Sequence, residues 1–383
     1  MTQPIVQFGT SRFLLAHADL FVSEALQNQS GAANALGGIT IVQSTNSPTS
    51  SARTAALTTG TGYPVVIRGL ERGEKVDRQV QCTAVREALQ ATNLPDWQHL
   101  RTDLASGAVQ VILSNTADKG YQLDAEDGPA ALAADAAAPR SYPAKLLVLL
   151  HERWSHNPHA PLSLLPCELI ERNGDVLKKI VSELAQAWQL PAEFVQWLSE
   201  HCVWANALVD RIVSEAIEPV GAVAEPYALW AIEAQDRLIL PCTHPSIVVT
   251  SDLDHYEQLK LFLLNAAHTY LAERWLTGGR KADETVREAM QDAKLRADLE
   301  ALWAEEIVPV FGAEGSAGRA QAQQYVADVR ERFENPFLNH RIADIAQNHV
   351  QKKERRLGPV VAKAQELGLD LPQLRLKAAL ARV

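Results

Sequence analysis

Short apolar runs broken by small and polar residues open the chain. Ile5-Val-Gln-Phe8 stops at Gly9, and beyond it Phe13, Leu14, Ala16, Leu20, Phe21 and Ala25 recur at a helical period. A second run, Ile39-Thr-Ile-Val-Gln43, follows. This predicts strand, tight turn, helix and strand, the opening βαβ unit of a nucleotide-binding fold. Val109-Gln-Val-Ile-Leu113 and Leu162 to Pro166 read as further buried parallel strands. Ligands bind at the carboxyl ends of such strands, so the turn Ser114-Asn115-Thr116 is predicted to wall a cofactor. Residues 124–140 read as a surface loop, and 174–200 as helical with Pro191 at a helix start. From about residue 254 the period is helical throughout, over 254–278, 280–306, 319–334 and 340–356, with Gly and Pro between. The expected fold is α/β: a Rossmann-like N-terminal dinucleotide-binding domain over 1–252 and an all-helical C-terminal substrate and catalytic domain over 253–383.

Two stretches carry candidate chemistry. Gly9-Thr10-Ser11-Arg12-Phe13 retains only the first glycine of a G-x-G-x-x-G fingerprint. Ser11 is small enough for close backbone approach to a pyrophosphate and adds a hydroxyl. The second predicted strand ends Gln43-Ser44-Thr45-Asn46, without the acid that binds a ribose 2′-hydroxyl. The missing acid leaves NAD versus NADP open at this point. The other stretch is Lys260-Leu-Phe-Leu-Leu-Asn265-Ala-Ala-His268. On an α-helix Lys260, His268 and Asn265 lie at roughly 0°, 80° and 140°, on one broad face. An amine, an imidazole and an amide can move a proton at a carbinol and support charge on its oxygen.

The 383 residues exceed one ordinary core, so two domains are expected. A net charge of −10 argues against nucleic acid as a partner. Cys82, Cys167, Cys202 and Cys242 are widely separated, and no His cluster has zinc-ligand spacing; they read as reduced buried thiols with no metal site. His151, His156 and His159 are too irregularly spaced for a metal and read as surface residues. The N-terminus lacks a signal-peptide pattern and no stretch has the length of a membrane span, so a cytoplasmic protein is expected. Oligomeric state is not readable from these residues.

Val209-Asp210-Arg211-Ile212, preceded by Asn206, resembles a signature of the mannitol dehydrogenase family, the polyol-specific long-chain dehydrogenases. Lys260, Asn265 and His268 resemble its second signature, and Phe8-Gly9-Thr-Ser-Arg-Phe13 its cofactor turn. Val66-Ile-Arg68-Gly-Leu70, Leu113-Ser-Asn115-Thr116, Ser141-Tyr-Pro-Ala-Lys145, Pro166-Cys-Glu168-Leu-Ile170, Asn173-Gly-Asp175, and Asn335-Pro336 with His340 resemble the branch acting on keto-uronates of the tagaturonate/altronate type. The resemblance covers nearly the whole chain. Ser11 in place of the middle glycine, Trp204 two residues before Asn206, and a chain shorter than the resemblance leads one to expect are its departures.

The resemblance implies a metal-independent, NAD-dependent oxidoreductase interconverting a keto-sugar acid and its polyol acid. A neutral or phosphorylated polyol is the alternative substrate, and a non-catalytic dinucleotide-binding relative the alternative class. It makes Lys260 the general acid/base, Asn206 and Asn265 an oxyanion pocket, and His268 a residue that binds a substrate hydroxyl or orients Lys260. An ordinary lysine pKa is near 10.4, so base function at neutral pH calls for burial or a nearby cation. Gly9, Thr10, Ser11, Arg12, Phe13, Ser44, Asn115 and Thr116 are the expected cofactor residues. For a substrate carboxylate the candidates are Arg332, His340 and Lys352, with Arg341 and Arg68 behind them. Asp210 and Arg211 are expected to support Asn206, His17 to pack or cap, and Glu168 and Asp118 to contact the cofactor or cap a helix.

Overall fold

The computed structural model describes residues 2–28, 34–116, 120–313 and 315–381; Asp118 lies outside them. In chain order the strands are β1 (Ile5–Phe8), β2 (Ile39–Gln43), β3 (Tyr63–Glu71), β4 (Glu74–Cys82), β5 (Val85–Gln90), β6 (Val111–Ser114), β7 (Leu162–Pro166), β8 (Cys202–Trp204), β9 (Ala207–Asp210), β10 (Val213–Ala216), β11 (Ala222–Ala224), β12 (Leu229–Glu233) and β13 (Ile247–Thr250). Helices α1 (Arg12–Leu15), α2 (Ala18–Gln27), α3 (Pro48–Leu57), α4 (Leu94–Ser106), α5 (Tyr142–His156), α6 (Asn173–Ala187) and α7 (Ala192–Glu200) alternate with them.

Six strands form a parallel sheet in the order β5-β2-β1-β6-β7-β8. All residues of β1, β2, β6 and β7 are buried, the pattern of strands covered on both faces. Strand order reverses direction at β1/β6, which opens a crevice at their carboxyl ends. A three-stranded sheet, β13-β12-β9, and a four-stranded one, β10-β11-β3-β4, complete the strands. The β3/β4 hairpin turns through Arg72 and Gly73, at φ 55° and 79°. Two central residues at positive φ make the tight turn that matches strand twist.

The chain divides into two compact units. The sheet unit comprises Met1–Ile67, Arg78–Ala224 and Ala228–Leu253; the helical unit comprises Arg68–Asp77, Glu225–Tyr227 and Asp254–Val383. Two pieces remote in sequence, the hairpin tip and a three-residue segment, thus belong with the C-terminal helices. The hairpin tip is fixed within the helical unit by Glu331, which accepts the N–H groups of Arg72 (3.1 Å) and Gly73 (2.6 Å). Gly69 is required there: a Cβ would lie 2.6 Å from Pro226.

The C-terminal part of the helical unit begins within α8 (Leu253–Gln258), which runs on into a π-helical turn over Leu259–Asn265 and α9 (Ala266–Thr277). The sequence predicts unbroken α-helix here, and the structure corrects it. The Ala266 N–H reaches back five residues to Leu261 O. A second π turn, Leu302–Ile307, packs against the first, and its buried Trp303 donates to Leu263 O at 3.0 Å. An indole donor entering the ladder satisfies a carbonyl that the widened turn disturbs. Among the described residues no helix is long and apolar enough to cross a membrane.

All four cysteines are buried thiols. Deep in the sheet unit, α2 carries Asp19, fully buried, with Tyr63 donating to its carboxylate at 3.0 Å and Gln7 at 3.4 Å. Burial outweighs both bonds and pushes its pKa up to about 7. A carboxyl raised on folding contributes stability that is present below its unfolded pKa and lost as pH rises through the folded one. Relative to Asp19→Asn, the protein is expected to lose about 4 kcal/mol of unfolding free energy between pH 4 and pH 8. Urea melts of both proteins across that range check this; parallel curves would show that Asp19 does not titrate on unfolding.

Candidate active site

In the sheet unit the crevice is a cleft of about 630 Å³ lined by Gly9, Thr10, Ser11, Ser44, Asn115 and Thr116, together with Gln43, Thr45, Ser50, Arg53, Gly120 to Asp124 (save Tyr121) and Arg140 to Tyr142. Six of the eight cofactor residues expected from sequence therefore meet in one place. The other two do not line it: Arg12 is exposed, and Phe13 stacks on His17 at 4.8 Å. Gly9 has φ +120°, and a Cβ there would lie 2.6 Å from Asn115 O, so the turn admits no side chain. Ser11 caps α1, and its buried hydroxyl has no hydrogen-bond partner among the described residues; the Ser44 hydroxyl is the same. A glycine cradle and two orphaned donors beside it fit the phosphate and ribose groups of a dinucleotide.

The turn after β6 is held by Glu168, which accepts from Ser114 Oγ (3.0 Å), Thr116 N (3.1 Å), Thr116 Oγ1 (3.0 Å) and Tyr121 (3.1 Å). Burial raises its pKa. It shapes the cleft wall and is absent from the lining. Arg211 of the Val-Asp-Arg-Ile stretch donates to Ala16 O at 2.6 Å, tying it to the end of α1. His17, buried between Phe13 and Phe21, packs as expected.

Asn206 is engaged with carboxylates of the sheet unit. It is fully buried, its Nδ2 donates to Glu233 (2.7 Å) and Asp175 (3.1 Å), and its Oδ1 accepts the Asp175 N–H (3.0 Å). Both amide hydrogens are spent on carboxylates, and the flipped amide would set a carbonyl oxygen against them. Asn206 is thus a tie between β9 and α6, with Asn173 beside it accepting from Ala207 N and donating to Ala207 O, each at 2.9 Å. Gly174 lets the two segments approach: a Cβ would meet Ala205 at 2.6 Å.

In the helical unit the π turn changes the relation between Lys260 and Asn265. On an α-helix they diverge by roughly 140°. Hydrogen bonds that close over five residues bring positions five apart nearly one above the other, so the two share a stripe. Both are half-buried, between Leu259, Phe262, Leu263 and Leu264, which enter the core. On α9, His268 is buried, stacked on Phe333 at 4.4 Å and edge-on to His340 at 4.8 Å. Burial lowers the His340 pKa, favouring a neutral imidazole.

The other predicted cations divide. Arg332 is paired within the helical unit: its guanidinium meets Glu225 through Nε at 3.1 Å and Nη2 at 2.9 Å, over the Tyr227 ring at 4.5 Å, with both side chains at most 3% exposed. Arg68 pairs with Asp77 at 2.8 Å. Lys352 is half-buried and donates to Ile345 O at 2.7 Å, with no ion-pair partner among the described residues; burial lowers its pKa. Arg341 is exposed at the start of a short helix. His151 packs against Trp154 and Phe194, and His156 meets Glu152, so the histidine cluster is dispersed.

Sequence comparison matches residues 3–240 to the mannitol dehydrogenase Rossmann domain and 252–382 to the mannitol dehydrogenase C-terminal domain. The chain is 32% identical over 382 residues to the altronate oxidoreductase of Halalkalibacterium halodurans, covering 94% of this chain and 70% of that protein. Its fold is similar to that of a substrate-free D-sorbitol dehydrogenase (TM-score 0.79, 20% identity, 99% of this chain and 80% of the other). It is also similar to a Pseudomonas fluorescens mannitol 2-dehydrogenase in ternary complex with NAD and D-mannitol (TM-score 0.68, 19% identity, 100% and 79%). With both family domains matched in order along a chain that keeps the glycine turn and the Lys260–His268 stretch, the protein belongs to the mannitol dehydrogenase family.

Proposed function

We propose that this protein is a nicotinamide-dependent reductase of a keto-sugar acid of the tagaturonate type, running in reverse as an altronate oxidoreductase. Family membership supports the class of reaction, a dehydrogenase acting on CH–OH groups. Similarity to altronate oxidoreductases over nearly the full chain supports the substrate class. The observation that carries the chemistry is the π turn, which sets Lys260 and Asn265 on one stripe of the helical unit. A bound nicotinamide supplies or accepts the hydride. Lys260 gives its proton to the ketone oxygen in reduction and withdraws it from the alcohol in oxidation. Asn265 donates to the same oxygen as charge builds on it, and without Asn206 it is the single amide in that role. His268, fixed by Phe333 and His340, orients a substrate hydroxyl. Lys352 is the cation assigned to the substrate carboxylate.

One observation favours the second reading, a neutral polyol or its phosphate: Glu225 neutralises Arg332 and removes one of the expected carboxylate binders. The test is the loss of reduced-nicotinamide absorbance with NADH or NADPH against tagaturonate, fructuronate, fructose and fructose 6-phosphate. Turnover on tagaturonate is expected. Turnover confined to fructose or its phosphate would move the enzyme to the polyol substrates.

A further inference from the structure

The carboxyl end of β2 is where a Rossmann fold distinguishes the two nicotinamide dinucleotides: an acid there binds the ribose 2′-hydroxyl, and a nearby arginine accommodates a 2′-phosphate. Here the strand ends in Gln43, whose amide is turned back into its own loop. It donates to Thr45 O at 2.5 Å and Ser51 Oγ at 3.1 Å, and accepts from Thr54 Oγ1 at 2.8 Å. Asn46 is likewise engaged, accepting from Thr92 at 2.5 Å and Gln90 at 3.1 Å. What faces the cleft is Ser44, with its buried unpartnered hydroxyl, then Thr45, Ser50 and Arg53.

Arg53 comes from α3 and donates one N–H to Thr10 O at 2.6 Å, which moors the guanidinium between the Gly9 turn and the end of β2. Among the described residues no carboxylate pairs with it, and a guanidinium retains further donors. Asp124 is the carboxylate among the described lining residues; it faces Arg140 at 3.9 Å and accepts the Glu126 N–H at 2.9 Å. A carboxylate-free strand end, three hydroxyls and a moored arginine match a phosphate monoester and would leave a bare ribose diol without its acceptor.

From this we infer that the protein selects NADP(H) over NAD(H), with Arg53 and Ser44 holding the 2′-phosphate. The inference rests on the dinucleotide reading proposed above and departs from the NAD expected from sequence. Isothermal titration of the purified protein with NADPH and with NADH, without substrate, tests it. NADPH is expected to bind at least about tenfold more tightly, the size of one charge-assisted contact. Arg53→Ala is expected to bring the ratio of the two dissociation constants toward one. Ser44→Asp, which sets a carboxylate against the phosphate, is expected to invert it while NADH still binds. Equal or tighter NADH binding by the unaltered protein would overturn the inference. So would an Arg53→Ala protein that weakens both ligands equally, since a merely structural arginine does not move the ratio. Binding of neither dinucleotide would instead overturn the cofactor reading on which it rests.

Discussion

Lys260→Met is expected to lower kcat by about 10²–10⁴-fold, the usual contribution of a positioned general acid/base. Dinucleotide affinity should remain at its original value, because every described residue lining the cofactor cleft lies in the sheet unit. Lys260→Arg sharpens the result. Arginine preserves the charge and the donors but gives up no proton at neutral pH, so it should be as inactive as the methionine variant if the role is proton transfer. Recovery in Lys260→Arg would reassign the residue to electrostatic support of the alkoxide. Asn265→Ala should lose about 10²–10³-fold in kcat as an oxyanion donor. Stopped-flow or steady-state absorbance with the productive keto-sugar, beside a dinucleotide titration of each variant, separates these outcomes. Near-native turnover by Lys260→Met would remove the mechanism.

How much of this was legible in the sequence depends on how local each cause is. Strands β1, β2 and β7 lie where their apolar runs place them, because a strand buried on both faces writes itself as a continuous hydrophobic stretch. Gly9 was legible for the same reason: a turn that excludes a Cβ admits little else. The β3/β4 hairpin was not seen, since β4 is mostly exposed and reads as Glu-Lys-Val-Asp-Arg-Gln, without an apolar face. The π turn was invisible because Leu-Lys-Leu-Phe-Leu-Leu-Asn suits an α-helix equally well; Trp303, from a second π turn, supplies the donor at Leu263. Asn206 and Arg332 have partners that the sequence could not show, for one shared reason. Each side chain has the chemistry of a site residue, but its partners, Asp175 and Glu233 for the first and Glu225 for the second, come from segments remote in sequence. A sequence shows what a side chain can do; the fold decides whether it is already doing something else.

The Arg332 assignment leads to the largest stability effect. The guanidinium and the Glu225 carboxylate meet as a two-bond fork, out of solvent, and the segment Glu225–Tyr227 is thereby fastened to the helix Ser316–Phe333 within the helical unit. Removing one member of such a pair strands the other charge in a medium that cannot solvate it. Glu225→Gln should therefore cost about 3–5 kcal/mol of unfolding free energy, and Arg332→Met a similar amount, each by breaking the buried pair. The double variant should recover much of either loss, because an apolar side chain over Tyr227 no longer faces a buried ion. Urea unfolding of the four proteins closes this cycle. The result separates the structural role from the one expected from sequence. Loss of a substrate-binding Arg332 would raise KM for a sugar acid and leave the midpoint of unfolding in place. A structural Arg332 shifts the midpoint, and its loss is rescued from the Glu225 side, which no substrate contact can reproduce.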